Sequence, residues 1–208
     1  MKKQVMNFLS MALMALVLFS CDGGSGKKGS GGKSLFTPVS SGHPYEMLVV
    51  IDKDMWERPA GRALFNVLDT DVPGLPQPER SFRISQIIPS KFERGFRIFR
   101  NIIDVDIQPI YTQPKLKYSR DSYSSPQMIM TIQAPDEASF EEFVNKNKQV
   151  IVDFFTKAEM NRQINLLKKE YSSVIAAKVG SMFGCDLRIP AGFERYKQGK
   201  DFLWTSQD

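Results

Sequence analysis

The 208-residue chain carries 28 Lys+Arg against 23 Asp+Glu, a formal charge of +5, with 42% hydrophobic and 25% charged residues. This composition excludes wholesale disorder and collagen-like repeats and leaves room for one domain or two small ones. One His and two Cys exclude zinc fingers, disulfide scaffolds and any machinery that needs several histidines.

Met1-Lys2-Lys3 is a positive n-region, and Phe8 to Phe19, FLSMALMALVLF, is a nearly unbroken apolar run. A membrane-spanning helix needs about 20 apolar residues. This run is shorter and has the length of a signal-peptide h-region. It stops at Leu18-Phe19-Ser20-Cys21, which resembles the lipobox of bacterial lipoproteins: Leu three positions before the Cys and a small residue just before it. Phe19 departs from the small residue usual at its place. The resemblance implies that residues 1–20 are a signal cut before Cys21, that the Cys21 thiol takes a diacylglyceryl group, and that the new amine is acylated. One acyl chain binds membranes marginally, whereas two or more anchor stably. The lipid bilayer is therefore the first expected partner. Residues 21–44 read as a flexible tether. Its Asp22–Ser34 part, DGGSGKKGSGGKS, has no apolar residue to bury and spans roughly 20 Å as a random coil.

Residues 45–208 read as a single α+β domain. Tyr45–Asp52 is an apolar, β-branched strand whose continuous hydrophobicity suggests a central position in a sheet. Trp56–Leu68 is periodic as a helix, with Ala60, Ala63, Leu64, Val67 and Leu68 on one face and Pro59 in its first turn. Val72-Pro73-Gly74-Leu75-Pro76-Gln77-Pro78-Glu79 is too rich in proline for regular structure and reads as an extended loop. Phe82–Ile88 alternates as a strand. Pro89 and Ser90 open a short helix carrying Phe92, Phe96 and Phe99 at helical spacing. In the next strand Ile103, Val105 and Ile107 share one face, and Asp104 and Asp106 the other.

Gln127–Ile132 is a further strand. Pro135-Asp136-Glu137 opens a long helix with acids where the helix dipole favours them, buried through Phe140, Phe143, Val144, Ile151, Phe154, Phe155 and Ala158. Its periodicity runs to about Lys169, allows a break, and resumes over 173–183 with Gly184 as a stop. Leu187–Pro190 and Asp201–Trp204 read as short closing strands. The element order predicts an antiparallel or mixed sheet with helices packed mainly on one face.

Gly42-His43-Pro44-Tyr45-Glu46, Val49–Asp52 with Trp56, Gly61 and Leu64, and above all the 72–79 loop resemble a Bacteroidetes lipoprotein family catalogued as domain of unknown function 4837. Arg100–Ile103 with Val105–Ile107, Ala134–Glu137 with Phe140, Asn147-Lys148, and Ile189-Pro190 with Gly192, Phe202 and Trp204 belong to the same pattern. The resemblance implies a cell-envelope protein of which this chain covers the N-terminal part, and it transfers no catalytic residue.

No catalytic constellation, metal-ligand set or cofactor motif is visible. His43 is the only histidine and precedes Pro44, where it reads as an exposed linker residue rather than a base. Cys185 reads as a small buried hydrophobe. Asp52, Asp54 and Glu57 follow the first strand and read as a helix cap and first-turn acids. Arg80, Arg83, Lys91, Arg94, Arg97 and Arg100 make a basic cluster, a solvated face that pairs with the acidic 136–159 segment. Arg94, Arg97 and Arg100 are also the candidates for binding an anionic group, for which the guanidinium fork is suited. With the signal and the spacer set aside the rest of the chain is nearly neutral, so nucleic acid is not an expected partner. The leading expectation is a membrane-anchored, non-enzymatic binding or assembly protein of the envelope, on the outer membrane facing the periplasm, with an envelope protein or glycan as partner. The alternatives are an anion- or glycan-binding module and an envelope hydrolase using carboxylates near Asp52–Glu57 or at Asp104 and Asp106.

Overall fold

The computed structural model describes residues 37–207, all within the unit Phe36–Asp208. The signal, Cys21 and the Asp22–Ser34 spacer lie outside the described residues. The elements follow in the order β1 (Glu46–Val50), α1 (Lys53–Glu57), α2 (Pro59–Leu68), β2 (Arg83–Ile87), a 3-10 turn (Pro89–Lys91), α3 (Arg94–Arg97), β3 (Asn101–Ile107), β4 (Lys115–Arg120), β5 (Met128–Ala134), α4 (Glu137–Lys146), α5 (Lys148–Leu167), α6 (Ser173–Phe183), β6 (Arg195–Gln198) and β7 (Leu203–Ser206). The fold is α+β. A mixed sheet has the strand order β2-β1-β3-β5-β4, and β6 and β7 form a separate hairpin. β1 is parallel to β2 and β3, β3 is parallel to β5, and β4 closes one edge antiparallel to β5.

The unbroken apolar run of β1 follows from its place between β2 and β3, with both faces covered. Met47, Val49 and Ile51 join Ile103, Met130 and Ile132 on one face, beneath Leu64 and Leu68 of α2, Phe140 and Val144 of α4, and Ile151 and Phe155 of α5. Burying each such side chain contributes about 1.5–3 kcal/mol. Leu48, Val50, Ile102 and Ile129 point to the opposite face, where Ile87, Phe92 and Phe99 cover them. Residues 39–41 are tied to the domain ahead of β1: Val39 bridges to Ser125, Ser41 bridges to Phe99, and the Ser41 N–H donates to the Ile98 carbonyl at 2.8 Å.

Several elements differ from the sequence reading. The Trp56–Leu68 helix is two helices, α1 and α2, that meet at Arg58, whose backbone is extended (ψ 167°). The following Pro59 disfavours the helical conformation there. The bend brings the chain back on itself so closely that a Cβ on Gly61 would lie 2.3 Å from the Met55 carbonyl oxygen. The single helix expected after Pro89 is a 3-10 turn and one turn of α3, so Phe92 and Phe99 reach the second core while Phe96 stays 43% exposed. The segment between Pro89 and β3 is too short to repay helix nucleation. The long helix breaks at Asn147, whose side chain donates to the Phe143 carbonyl at 2.8 Å in competition with the helix. β4, KLKYSR, was not anticipated: it is an edge strand whose basic, mostly exposed residues guard against edge pairing and hide its strand character. Residues 187–190 make only one bridge, Tyr171 to Pro190, and the closing hairpin is 195–206 instead. Gly184 caps α6 at φ 66°, as expected.

Gly61→Ala is expected to destabilise the domain by about 1–3 kcal/mol, because the new methyl group overlaps backbone that cannot move aside. A lowered thermal midpoint with an unchanged far-UV spectrum is the measurement.

Candidate functional site

α5 is held to the sheet by a buried charge. Ile151, Phe155 and Glu159 fall four residues apart on its inward stripe, and Glu159 is 0% exposed. One carboxylate oxygen of Glu159 accepts from Arg100 Nη2 at 2.8 Å. The other accepts from Arg162 Nη1 at 2.8 Å and from Asn101 Nδ2 at 2.7 Å. Asn101 Nδ2 also donates to the Glu46 carbonyl at 2.9 Å, and its Oδ1 accepts from Arg162 Nη1 at 2.8 Å. Arg162 Nη2 donates to the Arg100 carbonyl at 2.9 Å. The node therefore joins α5 to the starts of β3 and β1. Burial, opposed by Glu159, leaves the Arg162 guanidinium below its ordinary value.

Upstream of the node along α5, a cleft of about 890 Å³ opens. One wall is the proline-rich loop with Val72, Pro73, Leu75 and Glu79; the other is the α4–α5 junction with Asn145, Lys148, Gln149 and Thr156. Asn66 and Val67 of α2, Val152 of α5 and Tyr45 complete it. The loop is braced at its base. Arg80 Nη1 donates to Asp71 Oδ1 and to the Asp69 carbonyl, each at 3.0 Å, and Arg80 Nε lies 3.2 Å from Asp69 Oδ1. The Val72 N–H donates to the Glu79 carbonyl and the Ser81 N–H to the Thr70 carbonyl, both at 2.8 Å. Three prolines between those ties restrict the loop further. Tyr45, at the start of β1, sits in the left-handed region with φ 62°, a conformation that costs a non-glycine residue about 1–3 kcal/mol. Its ring lies 6.4 Å from that of Phe82, and its carbonyl accepts from the Arg83 N–H at 2.9 Å.

A second polar region lies at the other end of the sheet, where β3 runs on past the last residue of β1. Asp106 accepts from Tyr111 Oη at 2.5 Å, Gln133 Nε2 at 2.7 Å and Gln108 Nε2 at 2.7 Å. Burial pushes Asp106 up, but these hydrogen bonds and the charge of Lys117 hold it below the usual carboxylate range. Asp104, on the same face, has no such donors among the described residues. Its burial and the neighbouring Asp106 raise it. The two carboxylates are thus driven in opposite directions. Among the described residues, no group of three His, Cys, Asp or Glu side chains could hold a metal ion.

The basic cluster disperses. Arg80 is spent on the loop base, Arg83 lies 3.3 Å from Glu46, and only Arg100 pairs with the acidic segment, through Glu159. Arg97 lies over the Phe92 and Tyr123 rings, with its Nε donating to the Phe92 carbonyl at 3.2 Å, and Arg94 is exposed. The guanidinium of Arg100 therefore turns inward, away from Arg94 and Arg97. His43 is exposed, and its backbone N–H donates to Glu46 Oε2 at 2.8 Å. Cys185 is exposed rather than buried, because it follows the Gly184 cap into irregular chain. Asp52 occupies the N-cap position of α1 without a side-chain cap bond, and Asp54 is its first-turn acid.

Glu159 was missed in the sequence, although it continues the Ile151–Phe155 stripe by one more step of four. A charge at a core position of a helix is the signal that marks a buried ion pair. Tyr45 offered no signal, since its backbone strain depends on the turn into β1.

The sequence model of a family described as domain of unknown function (DUF8532) matches residues 40–168. The match takes in both the cleft and the Glu159 node, and leaves α6, β6 and β7 beyond its end. This corrects the resemblance to domain of unknown function 4837, whose place is taken by a different family, and with it goes what that resemblance implied. No curated protein and no solved structure matches the chain.

Glu159→Ala leaves two largely buried guanidinium groups without their partner and is expected to cost about 3–5 kcal/mol, read in denaturant unfolding. Asp104 and Asp106 should behave oppositely with pH. A raised carboxyl favours its protonated form in the folded state, so Asp104 lowers stability as pH rises above the ordinary carboxylate value. Asp104→Asn should therefore raise the thermal midpoint at pH 7 by about 2–4 °C and do little near pH 3. Asp106, held low, contributes stability that is lost as pH falls. Asp106→Asn should lower the midpoint at pH 7, with the difference fading in acid.

Proposed function

The chain belongs to the DUF8532 family, and we propose that it is a lipid-anchored binding protein of the bacterial cell envelope, tethered through Cys21 on the outer membrane and facing the periplasm, which captures its ligand in the cleft beneath the 72–79 loop. The cleft carries this reading. Its size is that of a small-molecule or short-oligomer site. Its loop wall is fixed by Arg80 and three prolines, so little conformational entropy remains to be lost on binding. Its lining combines apolar side chains such as Val67 and Val152 with Asn66, Asn145 and Lys148, whose side chains have no hydrogen-bond partner among the described residues. The anchor rests on the h-region and the Leu18–Cys21 sequence; Cys21 joins the fold through a spacer that supplies reach and nothing to bury.

The Asp104–Asp106 pair favours a second reading, a carboxylate-dependent envelope hydrolase. A carboxyl raised by burial and a like charge, two residues from one held low by hydrogen bonds, is the kind of arrangement that divides acid from base. Hydrolysis of nitrophenyl glycosides or peptide anilides that is abolished by Asp104→Asn would select it over the binding reading.

The anchor is tested directly in cells fed labelled palmitate. The wild-type chain is expected to incorporate label and sediment with membranes, whereas Cys21→Ser should lose the label and leave the membrane fraction. A Cys21→Ser chain that still carries the label contradicts the anchor.

A further inference from the structure

We propose that the cleft binds a neutral oligosaccharide, with the Tyr45 ring as the surface on which a sugar face rests; the proposal depends on the cleft being a ligand site. Three observations point to this class.

First, the charges on the walls do not suit an ion. Arg80 is committed to Asp69 and Asp71, and Asp153 already accepts from Gln149 Nε2 at 2.7 Å and Lys157 Nζ at 3.3 Å. Lys148 and Glu79 remain and oppose each other in sign. An anionic ligand would meet Lys148 and Glu79, one cation offset by one carboxylate, and no net positive charge among the unpaired lining groups.

Second, the uncharged polar lining is of the donor-and-acceptor kind: the amides of Asn66, Asn145 and Gln149 and the hydroxyls of Thr70, Ser81 and Thr156. Each sugar hydroxyl both donates and accepts, and such groups satisfy it in either sense. An extended peptide asks for something else, an exposed strand edge to pair with its backbone. The lining side chains come from helices, loop and the residue before β1, and no residue of a strand is among them.

Third, the one aromatic ring of the lining is carried by the strained residue. Tyr45 holds φ 62° although Asn or Gly would take that conformation more cheaply. Phe82 packs near the ring, and the bond from the Arg83 N–H to the Tyr45 carbonyl holds its backbone. Retained strain of this kind concentrates at binding sites. An aromatic face flanked by amides presents both the apolar and the polar surface that a pyranose ring offers.

The test is calorimetric titration of the full chain, held in a sugar-free detergent, with neutral gluco-, manno-, xylo- and N-acetylglucosamine tetrasaccharides, and in parallel with tetrapeptides and uronic-acid tetrasaccharides. At least one neutral tetrasaccharide is expected to bind saturably. Tyr45→Asn, which suits the positive φ but lacks the ring, should weaken that binding by about tenfold or more, and so should the exposed helix pair Asn145→Ala/Gln149→Ala, which leaves folding intact. Binding of the peptides or uronic acids alone, lost in the same variants, overturns the ligand class and leaves the cleft as the site. Neutral-sugar binding at full strength in every variant overturns the site. No binding from any panel overturns the proposal as a whole.

Discussion

The carboxylate of Glu159 is the constraint on which the arrangement depends. It is fully buried on the inward stripe of α5, where an isolated charge would be prohibitive to desolvate. It is tolerated because two guanidinium groups and an amide donate to its two oxygens, and because Asn101 passes the connection on to β1. Such a node adds little net stability over a well-packed apolar substitute. Its effect is on register. The apolar stripe of α5 could slide on the sheet at modest cost, whereas a one-turn slip would strand Arg100 and Arg162 without their acid.

Register matters because one wall of the cleft lies on the same helix. Lys148, Gln149, Val152 and Thr156 line the cleft within about three turns before Glu159. The opposite wall is fixed independently, by Arg80 across the base of the proline loop. The two walls are therefore set by two separate ion-pair systems, one buried and one exposed, with Tyr45 between them at the entry to β1. This places the cleft by the amino-terminal end of the parallel strands. Ligand sites of open parallel sheets usually lie at the carboxyl ends, and here that end holds Asp104 and Asp106.

Much of the scaffold was legible in the sequence. The apolar run of β1, the α2 stripe, the Gly184 stop and the proline loop all act locally, through sterics and periodicity, and they fall where those rules place them. What escaped was non-local. β4 is a strand because β5 offers it an edge, and its own basic residues say otherwise. The Phe92–Phe99 segment looked like a helix because its spacing was helical, yet its ends are pinned to β2 and β3. The six basic residues between 80 and 100 read as one patch in one dimension and have different partners in three. The cleft itself joins side chains from residue 45 to residue 156, and no local pattern announces it.

Amide hydrogen exchange on the Glu159→Gln variant tests the claim that this node positions the cleft wall. The substitution keeps the shape and removes the charge. The account predicts faster exchange along 148–156 as well as around the node itself, with the proline-loop base at 69–81 unchanged because Arg80 holds it separately. Exchange that rises only at 98–103 and 157–164, with 148–156 as protected as in the parent chain, would contradict it.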